Sequence, residues 1–190
     1  MQAFLVSAGV VALGEMGDKT QLLAIVLAAT FRRPLPIIAG IVVATLANHA
    51  AAGAVGGWLM HALGPDVLRW VVGLSFLAIA AWMLVPDDLD AQAAQRDRRL
   101  GVFGTTVVAF FLAEMGDKTQ VATVALAARF PDLLQVVLGT TVGMMLADVP
   151  AVFLGDRIVR KMSMRWVHAI AAAIFAALGL LTLFNPGQFL

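Results

Sequence analysis

Six long, mostly apolar stretches fill most of this chain, at approximately 3–29, 35–60, 67–85, 102–128, 133–155 and 166–184. A helix needs about 20 such residues to cross the ~30 Å hydrocarbon core of a bilayer. Ala, Leu, Val and Gly dominate each stretch. None shows the strict apolar/polar alternation of a membrane barrel, and helices are the other fold that satisfies its own backbone in lipid. The fold class predicted is an all-α membrane protein of six transmembrane helices, multi-pass in the inner (plasma) membrane. Of 190 residues only 13% are charged and 61% are hydrophobic, whereas soluble domains carry roughly a quarter charged residues.

The N-terminus has no basic leader, and Glu15, Asp18 and Lys19 sit inside its apolar stretch, so it reads as the first helix rather than a removable signal. Short polar links join the six stretches. Those after the first, third and fifth carry Arg32, Arg33, Arg96, Arg98, Arg99, Arg157, Arg160, Lys161 and Arg165; the other side carries Arg69 and Arg129. Basic loops stay cytoplasmic, so these three links are expected inside and both termini outside. The longest link, Pro86 to Leu100, has an acidic half (Asp87, Asp88, Asp90) and a basic half (Arg96, Arg98, Arg99). It reads as a solvated linker.

Residues 15–21 and 114–120 are the same string, Glu-Met-Gly-Asp-Lys-Thr-Gln, at a shift of 99. The same shift pairs Leu27-Ala28-Ala29 with Leu126-Ala127-Ala128, Phe31 with Phe130 and Gly40 with Gly139. A shift of 96 pairs Arg69-Trp70-Val71 with Arg165-Trp166-Val167. The chain thus divides into a first three-helix repeat (1–85), a cytoplasmic linker (86–101) and a second three-helix repeat (102–190). Three is odd, so the second unit enters the membrane from the opposite side. Inverted repeats of this kind place a substrate site near the midplane, between the repeats.

Each string lies near the middle of its stretch, where one carboxylate costs on the order of 3 kcal/mol. Glu15 and Asp18, and likewise Glu114 and Asp117, are three apart and share a face if the helix is continuous. Bringing the two strings together assembles four carboxylates as candidate metal ligands. Gly17 and Gly116 allow close backbone approach or a break. Thr20, Gln21, Thr119 and Gln120 offer neutral oxygens, and an all-oxygen set suits hard divalent cations. Lys19 and Lys118 are charge partners, and their i,i+4 spacing from Glu15 and Glu114 also fits self-contained ion pairs. The 99-residue shift sets His49 opposite Asp148, with Asn48 adjacent. Asp148 is a further candidate ligand; Asn48 and His49 fit a ligand, a proton relay or interhelical hydrogen bonds. Pro150 is expected to kink the fifth helix.

Several classes fall away. There is no cysteine, which removes disulfides, thiolate metal sites and Cys nucleophiles. A net charge of +1 gives no reason to expect a nucleic-acid partner. No HExxH string or serine-nucleophile arrangement points to an enzyme, and the residues fix no homo-oligomeric state. An organic-cation exporter of the LysE-like kind and a non-transporting scaffold are the rival readings.

The string Glu-x-Gly-Asp-Lys-Thr, complete at Glu15 to Thr20 and at Glu114 to Thr119, resembles the signature of the Gdt-type cation exchangers. These include Golgi manganese/calcium transporters and bacterial MneA-type manganese exporters. The resemblance covers essentially the whole chain. It implies transport of Mn2+ or Ca2+ as substrate, with no permanent cofactor, in exchange for protons. Direction, out of the cytoplasm, also comes from the resemblance. Residue by residue it implies that Glu15, Asp18, Glu114 and Asp117 are the metal-site acids.

Overall fold

The computed structural model describes residues 1–85, 100–154 and 164–184. Within them lie eight α-helices: α1 (Gln2–Glu15), α2 (Lys19–Phe31), α3 (Pro34–Ala62), α4 (Pro65–Trp82), α5 (Gly101–Glu114), α6 (Lys118–Arg129), α7 (Leu133–Leu154) and α8 (Met164–Phe184). Four of these, α3, α4, α7 and α8, are long and apolar enough to cross a membrane. The stretches expected as the first and fourth spans are each two shorter helices, α1 with α2 and α5 with α6, separated at the repeated string. At 1.5 Å per residue a 14-residue helix such as α1 reaches only about 21 Å. The linker after position 85, including its aspartates and arginines, and Arg157, Arg160 and Lys161 lie outside the described residues.

Local sequence sets the boundaries. Arg32 closes α2 in the left-handed region (φ 52°), its N–H returning to the Ala28 carbonyl. Pro34 then opens α3 at a position where its missing N–H has no helical partner to lose. Asp132 caps α7: its Oδ1 accepts the Gln135 N–H at 3.1 Å, and Gln135 Nε2 donates back to Oδ2 at 2.6 Å. Those bonds from Gln135 hold the Asp132 carboxyl below its ordinary range. α7 runs on through Pro150 to Leu154.

Packing is mainly between the two parts of the chain. α1 lies chiefly on α7, α3 on α6 and α5, and α4 on α8. Small residues make this possible. A Cβ on Gly139 would sit 2.5 Å from the Phe4 carbonyl and 3.0 Å from Ser7; one on Gly40 would meet the Phe103 carbonyl at 3.0 Å and Thr106 at 2.7 Å. These are the same contacts shifted by 99 residues. Without a hydrophobic drive between helices in lipid, such close backbone approach is what holds them. Trp58, Trp70 and Trp166 are exposed on the outside of the bundle.

Two buried apolar clusters result. One joins α1, α4, α6 and α8 through Val10, Phe76, Ala122, Leu126 and Phe175. The other joins α2, α3, α5 and the end of α7 through Leu23, Leu27, Ile41, Phe110 and Ala151. The chain passes from the first cluster to the second at residues 15–18. It passes from the second back to the first at residues 114–117.

Candidate functional site

The string Glu-Met-Gly-Asp folds as a tight turn in both copies. Met16 and Met115 are extended (φ −62°, ψ 115° and φ −66°, ψ 117°). Gly17 and Gly116 have φ of 84° and 78°. The Asp18 N–H reaches the Glu15 carbonyl at 3.0 Å, and Asp117 reaches Glu114 at 3.1 Å. This is the signature of a type II turn, which places glycine at its third position because that residue needs positive φ. The glutamate is therefore the last residue of one helix and the aspartate the N-cap of the next. Glu15 and Asp18 therefore do not share a helix face as their spacing predicted, since the helix stops between them; the turn brings them together instead.

Two half-helices meeting at a turn leave backbone groups outside the helical ladder. The last turn of α1 or α5 presents carbonyls, a partial negative charge that favours cations; the first turn of α2 or α6 presents N–H groups. The glutamines at the third position of α2 and α6 satisfy one donor each. Gln21 Oε1 accepts the Gly17 N–H at 3.0 Å, and Gln120 Oε1 accepts the Gly116 N–H at 2.7 Å.

The two turns converge. Glu15, Glu114 and Asp117 are all fully buried, and one carboxylate oxygen from each lies within 4.8 Å of the others. Two oxygens facing each other across a calcium ion at about 2.4 Å would be about 4.8 Å apart, and across magnesium about 4.2 Å. Oxygens within 4.8 Å of one another are thus close enough to share a single hard cation. Among the described residues Glu15 has no hydrogen bond to either oxygen, nor has Glu114 to its Oε1. Glu114 Oε2 accepts from the Thr119 hydroxyl at 3.0 Å. The Thr20 hydroxyl, its counterpart, is buried without a partner among the described residues.

The lysines cross between turns. Lys19 Nζ lies 2.9 Å from Asp117 Oδ1, and Lys118 Nζ lies 3.0 Å from Asp18 Oδ1. These ion pairs join one turn to the other, where i,i+4 spacing had suggested pairs of Lys19 with Glu15 and Lys118 with Glu114. Lys118 is buried with Asp18, whereas the Lys19 side chain is 26% exposed. A partly exposed ammonium at such a site calls for water, because bare hydrocarbon costs it several kcal/mol.

Asp148 on α7 is buried, with both oxygens unbonded among the described residues. It stands close enough for its charge to act on both Glu15 and Glu114. Its counterpart His49 on α3 is also buried, with neither ring nitrogen hydrogen-bonded among the described residues. Asn48 is engaged: its Oδ1 accepts from Gln120 Nε2. On the α7 side Gln21 Nε2 donates to the Ala147 carbonyl at 3.0 Å. Two buried hydroxyls lie outside the sequence-predicted set, Thr45 and Ser7, each without a hydrogen bond among the described residues. Thr45 sits one turn before His49, and the i,i+4 spacing of two polar residues in an apolar helix is the signal that marks it.

Comparison with known proteins gives these residues a context. The model of the family described as "Divalent cation/proton antiporter GDT1" matches residues 3–91 and 102–188, nearly the whole chain. A protein of Vibrio cholerae serotype O1 named "Putative manganese exporter" is 46% identical over 185 residues, covering 97% of this chain and 92% of its own. A GDT1-like protein of Schizosaccharomyces pombe is 34% identical over 75 residues, 40% of this chain and 28% of its own. No solved structure matches. The family is one of transporters, not enzymes, and a metal in it is carried substrate rather than cofactor. With both repeated strings inside the matched segments, this membrane protein belongs to the divalent cation/proton antiporter GDT1 family.

Proposed function

We propose that this chain is a secondary transporter that exports a divalent cation, Mn2+ ahead of Ca2+, from the cytoplasm in exchange for protons. The observation that carries the proposal is the convergence of Glu15, Glu114 and Asp117 on a space of one ion, with three buried glutamate oxygens unbonded. Asp18 completes the set of four acids. At an effective dielectric of about 20, two unit charges 4.8 Å apart repel by about 3 kcal/mol. A divalent cation relieves that repulsion, and so does a proton. Two alternative neutralisers at one site are what an exchanger requires: metal arriving from the cytoplasm displaces protons, and protons reload the site on the outside. Preference for manganese rests on the Vibrio relative's name, since oxygen ligands serve both ions.

In this reading α1 with α2, and α5 with α6, are the first and fourth of six spans, and residues 1–85 and 102–190 are inverted three-helix repeats joined by a cytoplasmic linker. The opposite passage of the two turns between the apolar clusters supports it, as do the Gly40 and Gly139 contacts that repeat at a shift of 99. Both termini then lie outside, with the arginine-rich links in the cytoplasm. A scaffold held by ion pairs would leave Glu15 partnered, and among the described residues it has no hydrogen bond. A site one ion wide is too small for the organic cation of a LysE-like exporter.

The test is proton flux in proteoliposomes carrying the purified chain. A Mn2+ gradient should drive protons the opposite way, and Glu15→Gln should abolish the coupled flux. Absence of metal-dependent proton movement by the folded wild-type protein would remove proton coupling.

A further inference from the structure

Gln21 and Gln120 each hold two groups at once, and chemistry fixes which end of the amide faces which. Only Oε1 can accept the turn N–H of Gly17 or Gly116, and only Nε2 can donate to the second partner. That partner lies in the other repeat. It is the Ala147 carbonyl on α7 for Gln21, and the Asn48 side chain on α3 for Gln120. Positions 48 and 147 differ by the repeat shift of 99, so the two arrangements are one device used twice. Each precedes a buried, unbonded polar residue: His49 after Asn48, Asp148 after Ala147. Each amide thus bridges two backbone or side-chain groups, with its oxygen on the turn and its nitrogen on the facing helix.

We propose that Gln21 and Gln120 are positioning residues, latches that fasten each Glu-Met-Gly-Asp turn to the inner helix of the other repeat and thereby set the carboxylate spacing. The inference deepens the cation-site reading and rests on it. Partners that orient metal ligands without touching the ion typically change affinity 10- to 100-fold when removed. A type II turn between two half-helices has few other restraints on its pitch. Release of the latch lets Glu114 drift from Glu15, while the ion pairs, Lys19 with Asp117 among them, and the apolar clusters continue to hold the helices.

The α3 latch is the better one to test, because its acceptor is a side chain and can be removed without touching the turn. Mn2+ binding to the detergent-purified full-length chain is measured by calorimetry for wild type, Gln120→Leu, Asn48→Leu and the double variant, with metal-free melting alongside. A latch predicts that each single change weakens binding by about tenfold and that the double change is no worse than either. Gln21→Leu should weaken it similarly. Gln120 acting as a ligand would leave Asn48→Leu with wild-type affinity, and two independent ligands would give additive losses; both results overturn the proposal. So does a lowered melting temperature with unchanged affinity, which is what mere stabilisation of the bundle produces. Should Gln120→Leu not fold, wild-type affinity in folded Asn48→Leu still refutes the latch, and a tenfold loss there that Gln120→Asn does not deepen supports it. Wild type that binds no Mn2+ would instead sink the cation-site reading, and the latch with it.

Discussion

Gly116 shows how one side chain's absence builds the site. Its φ of 78° is a conformation that glycine adopts freely, and a Cβ there would meet nothing within 4 Å. Gly116→Ala therefore isolates the backbone term, and should lower stability by about 1–2 kcal/mol through conformation alone. Asn tolerates positive φ better than Ala, so Gly116→Asn should lose less. Chemical denaturation of the three proteins checks the order, and equal stability of the alanine variant would argue against the turn. The acids were legible in the sequence as a repeated polar string. The turn was only half legible: glycine suggested a break, but glycine before a capping aspartate, with glutamine three further on, is also a turn followed by a helix start. The crossed lysine pairs were not legible, because i,i+4 spacing has meaning only while the helix is continuous.

Among the helices, the contact that brings the second turn into place is α3 against α6. Gly56 is its tightest point: a Cβ there would lie 2.2 Å from the Val124 carbonyl and 2.7 Å from Ala127 Cβ. Gly57, one residue on, has nothing within 4 Å. Gly56→Ala should destabilise by about 1–3 kcal/mol as overpacking does, while Gly57→Ala should be neutral or gain up to about 1 kcal/mol in helix propensity. Thermal melting in detergent distinguishes them, and equal tolerance would mean the helices are further apart than described here. Apolar length marked α3, α4, α7 and α8 in the sequence. It could not mark α1 and α2 as separate, since an apolar run reads the same whether or not a turn interrupts it. Nor could it say which glycine faces a neighbour: Gly56 and Gly57 are adjacent and alike on paper.

Across the whole molecule, each part of the chain is the other's main packing surface. α1 rests on α7, α3 on α5 and α6, and α4 on α8. The shift of 99 was visible in the sequence, yet the interlocking of the two parts was not, because a sequence shift gives equivalence without saying who touches whom. One consequence is that a chain cut within the 86–99 link should fold only when both pieces are made together. Either piece alone should be degraded or aggregate, as judged by size-exclusion chromatography, and a monodisperse single piece would contradict the interlocked arrangement. A second consequence concerns the site, which takes Glu15 from one part and Glu114 and Asp117 from the other. On the proposed function, neither part alone supplies all three carboxylates. Mn2+ binding to the purified chain, with Glu15→Gln beside it, tests this most directly. The account predicts a single Mn2+ displaceable by Ca2+, with affinity lowered by roughly a hundredfold or more when Glu15 loses its charge. A folded Glu15→Gln protein that binds Mn2+ as tightly as wild type would contradict it.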